Sequence, residues 1–187
     1  WANVPNTLEI NQPAQAVLGA GVWSGAQDMS GVVQLAWRQE HLLVAARVTD
    51  DIYRPEQSTA DILQSNHVQI VIDVQPATET DRTEFGVGQF QLALIPGRLM
   101  DSADSLTDGA PKAFCLKPAG HDMSGVQVAA ARTEQGWTLE AAIPWDTFGL
   151  TPKQDFPLNV EVGLSDADSS DARQETLLTS AAQVWEL

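Results

Sequence analysis

One cysteine, ten basic residues, three histidines and no long apolar run: each scarcity in this chain excludes something. Cys115 alone permits neither an internal disulfide nor a cysteine-based zinc site. It says little about compartment, because a chain of 187 residues buries about 70% of its unfolded surface and needs no staple. No apolar stretch approaches the roughly 18 residues of a membrane span. Ten Lys and Arg against 25 Asp and Glu leave a net charge of −15, which repels phosphate backbones and argues against nucleic acid as a partner. His41, His67 and His121 are scattered, without the His-x-x-x-His spacing that suits zinc. The serines include no Gly-x-Ser-x-Gly elbow. With Trp at position 1, the chain is expected to be a trimmed piece of a longer one.

What is present is alternation. Val68, Ile70, Ile72 and Val74 interleave with His67, Gln69 and Asp73, with only Val71 interrupting the polar side. Phe90, Leu92 and Leu94 alternate with Gln89, Gln91 and Ala93, and Leu158, Val160, Val162 and Leu164 with Asn159, Glu161 and Gly163. Strands with one apolar face belong to antiparallel sheets. About nine or ten such segments, separated by Gly, Pro, Asp and Asn clusters, predict an all-β antiparallel sandwich occupying residues 1–187 as one domain. No window supports a long amphipathic helix. Pro144 to Gly149 suits a single turn, with Pro near its start and Gly at its end. The longest loops are expected at about 76–87 and 97–113. The core is expected to hold Trp37, Trp137, Trp145, Ile70, Ile72, Phe90, Leu92, Val160 and Val162.

One block occurs twice. Asp28-Met29-Ser30-Gly31-Val32 is matched by Asp122-Met123-Ser124-Gly125-Val126, and each opens an apolar run, a polar break and a second run. Either a hairpin was duplicated or two equivalent hairpins of one sandwich converged; both give a β-protein.

The surplus acid mostly serves as solvated surface, yet Asp50-Asp51 and Asp166-Ala167-Asp168 put paired carboxylates at strand-to-loop junctions. Clustered aspartates are ligands for hard cations. Asp28 is a weaker member, because Asp28 and Asp122 precede glycines, where Asp is also an ordinary turn former. Carboxylate pairs also serve in glycoside cleavage, but only at separations that sequence does not show. Trp23, Tyr53 and Phe114 fall at loop edges and are the aromatic ligand candidates.

Several segments in order carry a resemblance: Trp23-Ser24-Gly25, Asp28-Met29-Ser30, Leu35-Ala36-Trp37, Val48-Thr49-Asp50-Asp51, Val68 to Asp73, Gly136 to Trp145, and Ser165-Asp166-Ala167-Asp168. Together they resemble the family 9 carbohydrate-binding modules over nearly the whole chain. That resemblance implies a jelly-roll-like β-sandwich with bound calcium. It also implies a non-catalytic accessory domain of a secreted or cell-surface polysaccharide-active protein, with a glycan and the other domains of a larger chain as partners. The same resemblance implies a tryptophan sugar clamp that this chain lacks. Leu63 stands at one clamp position, Ser65-Asn66 where an acid is usual, and Gln91 in place of an arginine. The second clamp loop shrinks to Ser180–Gln183, which leaves Trp185 for the terminal strand. The expected sugar site is therefore Tyr53, Leu63, Asn66, Gln91 and Phe114, and the expected metal ligands are Asp28, Asp50, Asp51, Asp166 and Asp168. Two other classes stay open. One is a protein-docking sandwich; the other is a b-type haem domain of a periplasmic dehydrogenase, with Met100, His67 or Lys117 as axial ligands. His67 is expected to face solvent.

Overall fold

Alternation becomes sheet. The computed structural model describes residues 1–2, 4–54, 59–76, 85–99, 109–169 and 174–181. Among them, eleven strands form two antiparallel sheets. The first sheet contains β1 (Thr7–Ile10), β3 (Met29–Trp37), β4 (His41–Asp50), β8 (Gln127–Thr133) and β9 (Gly136–Pro144), in the spatial order β1-β3-β4-β9-β8. The second contains β2 (Ala16–Leu18), β5 (His67–Asp73), β6 (Gln89–Ile95), β7 (Lys112–Lys117), β10 (Asn159–Asp166) and β11 (Thr176–Thr179), in the order β2-β11-β10-β5-β6-β7. Of the long loops expected at about 76–87 and 97–113, residues 77–84 and 100–108 lie outside the described residues.

Inward residues of both sheets make one core. Val33, Val44, Leu139 and Ile143 from the first sheet meet Ile70, Ile72, Leu92 and Leu164 from the second. The sheets approach closely at Gly31, where an added Cβ would stand 2.9 Å from the Leu164 side chain and 2.9 Å from the Arg47 carbonyl. Trp137 is fully buried, and Trp145 and Phe148 lie in the same cluster. Trp145–Phe148 is the expected single turn, ended by Gly149 in the left-handed region at φ 63°.

The two repeated blocks become neighbouring hairpins. β3 pairs with β4 through the turn Arg38–His41, and β8 pairs with β9 through Glu134-Gln135. β4 then pairs with β9, so the hairpins lie side by side. Gly136, at φ 150°, admits nothing larger, since a Cβ there would fall 2.3 Å from the Val48 carbonyl.

Two core assignments fail. Trp37 is 55% exposed and Val160 only half-buried. Period 2 puts Trp37 on the side of Val33 and Leu35, but β3 runs beyond the end of the core, so the ring emerges from its cover. His67 is also corrected: it is fully buried, because the outer side of the second sheet is not solvated along β5 and β6. No helix among the described residues is long and apolar enough to cross a membrane.

Candidate functional site

Strand ends gather carboxylates at one end of the sandwich. Asp28 precedes β3, Asp50 ends β4 opposite Met29, and Asp51 follows it. Asp166 ends β10 in the other sheet, and Asp168 lies two residues beyond. Their oxygens form two overlapping groups, Asp28-Asp51-Asp168 and Asp50-Asp166-Asp168, each with its ligand atoms within 4.8 Å of one another. The five acidic residues picked from sequence thus share one place, and Asp168 belongs to both groups.

Neutral donors hold this cluster from behind. Trp137 Nε1 donates to Asp50 Oδ2 at 2.8 Å, and the Ile52 amide to Asp50 Oδ1 at 3.1 Å. Asn66 Nδ2 donates to Asp50 at 2.9 Å and to Asp166 at 3.1 Å, while its Oδ1 accepts from the Arg54 amide at 2.9 Å. The Ser24 amide donates to Asp28 at 2.6 Å. These bonds use part of the acceptor capacity and leave the rest facing other carboxylates. Burial, then the neighbouring Asp168 and Asp51, pushes Asp50 up to about 6 despite the Trp137 hydrogen bond. Burial and the charges of Asp168, Asp50 and Asp28 push Asp166 up to about 8. Asp168 rises to about 6, from desolvation first and the charges of Asp51 and Asp28 next.

Such an end is under electrostatic tension without a cation. Among the described residues the buried Asp168 Oδ1 has no hydrogen-bond partner, and the donor set is oxygen only. That chemistry fits a hard divalent ion, which takes several carboxylate oxygens at once. These clustered acids can hold a metal ion.

The five sugar-site candidates do not share one place. Tyr53 lies at the acid end, edge-on to Trp137 with ring centroids 6.2 Å apart, and its hydroxyl donates to the Gly97 carbonyl. Asn66 is fully buried and turned toward the aspartates. Gln91 lies on the outer side of the second sheet, opposite Val71. Phe114 packs near Ile62, Ala93 and Ile95 on that side, and Leu63 follows Ile62 in the turn Thr59–Gln64. Trp23 is half-buried, with its N–H on the Met29 carbonyl at 2.8 Å. Of the haem candidates, Met100 lies outside the described residues, and Lys117 places its Nζ 4.9 Å from the Phe85 ring centre.

Gln91 and His67 are candidates from sequence, but the polar patch that they form with Gln69 on the second sheet is not expected there. Gln91, Gln69 and His67 are all at least 97% buried, yet among the described residues Gln91 Oε1 and Nε2, Gln69 Oε1 and His67 Nε2 lack hydrogen-bond partners. Gln174 joins them, its Nε2 donating to Ser165 Oγ at 2.9 Å and its Oε1 unpartnered. His67 Nδ1 meets the Ser65 carbonyl at 3.0 Å, which makes Nδ1 the protonated nitrogen and Nε2 an acceptor. Burial lowers this imidazole to about 4, so it is neutral at pH 7. The alternation in 67–73 did carry the signal that His67, Gln69 and the Gln91 side share a face. The cross-strand register that joins them to β10 and β11 did not show.

Comparisons with known proteins agree on the fold. The family model described as carbohydrate family 9 binding domain-like matches residues 1–184. A family 9 carbohydrate-binding module from Caldicellulosiruptor kristjanssonii, solved with cellotriose, is 18% identical, with a TM-score of 0.65 over 96% of this chain and 74% of that one. A structure of such a module from the same organism with glucose gives a TM-score of 0.61 at 18% identity, over 92% of this chain and 74% of that one. No curated protein matches.

Proposed function

Because this chain belongs to the carbohydrate family 9 binding domain-like family, whose modules are non-catalytic, we propose that it is a carbohydrate-binding module with its sugar site on the outer side of the six-stranded sheet. The observation that carries this reading is the set of polar atoms on Gln69, Gln91 and His67 that lack hydrogen-bond partners among the described residues; being fully recessed, they become available to a sugar only where it displaces their present cover. An unpaired buried polar group costs about 1–3 kcal/mol, so each is a place where a hydroxyl, from water or from a sugar, is stabilising. The set offers amide donors, amide acceptors and a neutral imidazole acceptor, and no ionised group among these three at pH 7. Sugar hydroxyls, which both donate and accept, suit it. Leu63 and Phe114 supply apolar contact nearby; Tyr53 and Asn66 serve the acid end instead.

In the same reading, residues 1–187 are one accessory domain of a secreted polysaccharide-active protein, and Asp28, Asp50, Asp51, Asp166 and Asp168 hold calcium. Calcium would neutralise carboxylates that otherwise repel one another across the ends of β4 and β10.

The recognition is expected to be weak for short sugars. Leu63 gives no aromatic face, and Gln91 gives neutral bonds where a charged group would contribute about 1.5–3 kcal/mol each. Calorimetry with glucose, cellobiose and xylobiose should show little or no heat, and longer oligosaccharides should show more. Gln69→Leu and Gln91→Leu should each reduce that binding while the protein keeps its fold. Tight binding of a disaccharide, unaffected by either substitution, would place the sugar elsewhere.

A further inference from the structure

The opposite side of the sandwich has a feature that the family reading does not use. Outward residues of β3, β4, β8 and β9 include many alanines, so this sheet carries shallow hollows rather than a flat surface. Two cavities lie along it, of about 550 and 630 Å³. Trp1, Ala129 and Glu140 line both. The Trp1 indole N–H donates to Glu140 at 2.7 Å, which fixes the ring over the sheet between the hollows. Trp37 lines the second cavity and also a third of about 230 Å³ at the open end of the core, beside Phe156 and Trp145.

Two groups here are uncommitted. Trp1, Trp23, Trp137 and Trp145 each donate their indole N–H to a protein acceptor. Trp37, at 55% exposed, has no such partner among the described residues. The exposed Arg47 guanidinium lines the first cavity and likewise has no hydrogen bond or ion pair among them. Two adjoining hollows that share Trp1, Ala129 and Glu140, with a free guanidinium in the first and the exposed Trp37 at the end rim of the second, are amphipathic in the manner of a pyranose, which has an apolar C–H face and a polar rim. The stretch of β3 from Val32 to Trp37 spans ~17 Å, longer than a single ring requires. A net charge of −15 disfavours a polyanion, so the ligand class is a neutral glycan.

We propose that the outer face of the five-stranded sheet is a second binding site, a groove that takes a neutral glycan chain of several pyranose rings along Arg47, Trp1 and Trp37. It rests on the carbohydrate reading above but uses a different surface. Its ligand is a chain of several rings, bound on the sheet that does not carry Gln69, Gln91 and His67.

Native affinity electrophoresis in hydroxyethylcellulose, glucomannan and xylan tests it, with circular dichroism confirming each fold. Ala129→Arg fills the junction of the two cavities from an exposed position on an edge strand, and Trp37→Ala removes the end platform. Each should weaken polysaccharide retardation by roughly tenfold or more, as the loss of a hot-spot contact does. Gln91→Leu should leave most of the retardation intact. Retardation that survives Ala129→Arg and Trp37→Ala but disappears with Gln91→Leu would overturn the groove and leave the proposed function standing. Wild-type protein that no polysaccharide retards would overturn it whatever short sugars bind. A dimer in sedimentation that Ala129→Arg splits would also overturn it, making the face a self-association surface.

Discussion

The two hairpins of the five-stranded sheet begin with the same five residues and reach different ends. Asp28 is 8% exposed, accepts the Ser24 amide and joins the acid cluster. Asp122 is exposed and caps its own turn, accepting the Ser124 amide at 2.9 Å and the Ser124 hydroxyl at 3.1 Å. Those bonds hold its carboxyl below the usual range. The first block feeds β3, which is flanked by β1 and β4; the second feeds β8, an edge strand. Position in the sheet, set by partners far along the chain, decides whether an Asp-Met-Ser-Gly-Val segment becomes a turn or part of an acidic cluster that could hold a cation.

The tryptophans of these hairpins divide the same way, and they give the largest test. Trp137 is fully buried against Tyr53 and bonded to Asp50. Trp137→Ala should cost about 3–5 kcal/mol in denaturant unfolding. Trp37→Ala should cost about 1 kcal/mol, near the average for point changes. Equal losses would mean that the open end of the sandwich is as well packed as the acid end.

Calcium comes next in size. A ligand that binds only the native state stabilises by about 2.7 kcal/mol at a hundredfold excess over its Kd. For a domain of this length that corresponds to a rise in Tm of about 5–10 °C. Scanning calorimetry in chelator and then in calcium should show it, and Asp166→Asn should reduce it. No response to calcium would leave the five aspartates as a strained end without a cation.

The pH dependence follows from the signs. Asp50, Asp166 and Asp168 have raised folded values, so the native state holds extra protons and their contribution to stability falls as pH rises through those values. His67 has a lowered folded value, so its contribution grows as pH rises from about 4 to its ordinary 6.5. The two trends oppose each other below pH 6.5. Above it, Asp166 at about 8 remains, and metal-free protein should lose stability between about pH 6.5 and 8. Calcium should flatten that slope, because bound carboxylates no longer take up protons. A metal-free Tm that climbs over this window would contradict the burial of Asp166 among its neighbours.

How much of this the sequence carried depends on the kind of contact. Local period 2 carried the sheets, the Arg38–His41 turn, the single turn after Pro144 and the burial of Trp137. The junction aspartates were legible because Asp pairs at strand ends are unusual. Trp37 was misread because alternation reports which side a residue takes, not whether the other sheet reaches that far. His67 and Gln69 were hidden for the converse reason. A polar residue opposite Val68 and Ile70 looks solvated, and only the packed structure shows that this outer side is buried.

The smallest effect separates the repeated aspartates most cleanly. Asp28→Asn keeps the acceptor for the Ser24 amide and removes one negative charge from the group it shares with Asp51 and Asp168. Asp122→Asn makes the same chemical change in an exposed turn, away from either acidic group. In chelator Asp122→Asn should melt near the wild type and Asp28→Asn at or slightly above it, since neither change opens a cavity and the latter relieves repulsion on Asp166 and Asp168. Under calcium titration they should part, with the midpoint for Asp28→Asn moving to higher calcium and that for Asp122→Asn staying with the wild type. One fewer carboxylate oxygen weakens a hard-cation site, whereas a distant charge at physiological salt is screened beyond about 8 Å. Identical titrations for both variants would remove Asp28 from the cation site and return it to the role of its twin, an aspartate that shapes a turn.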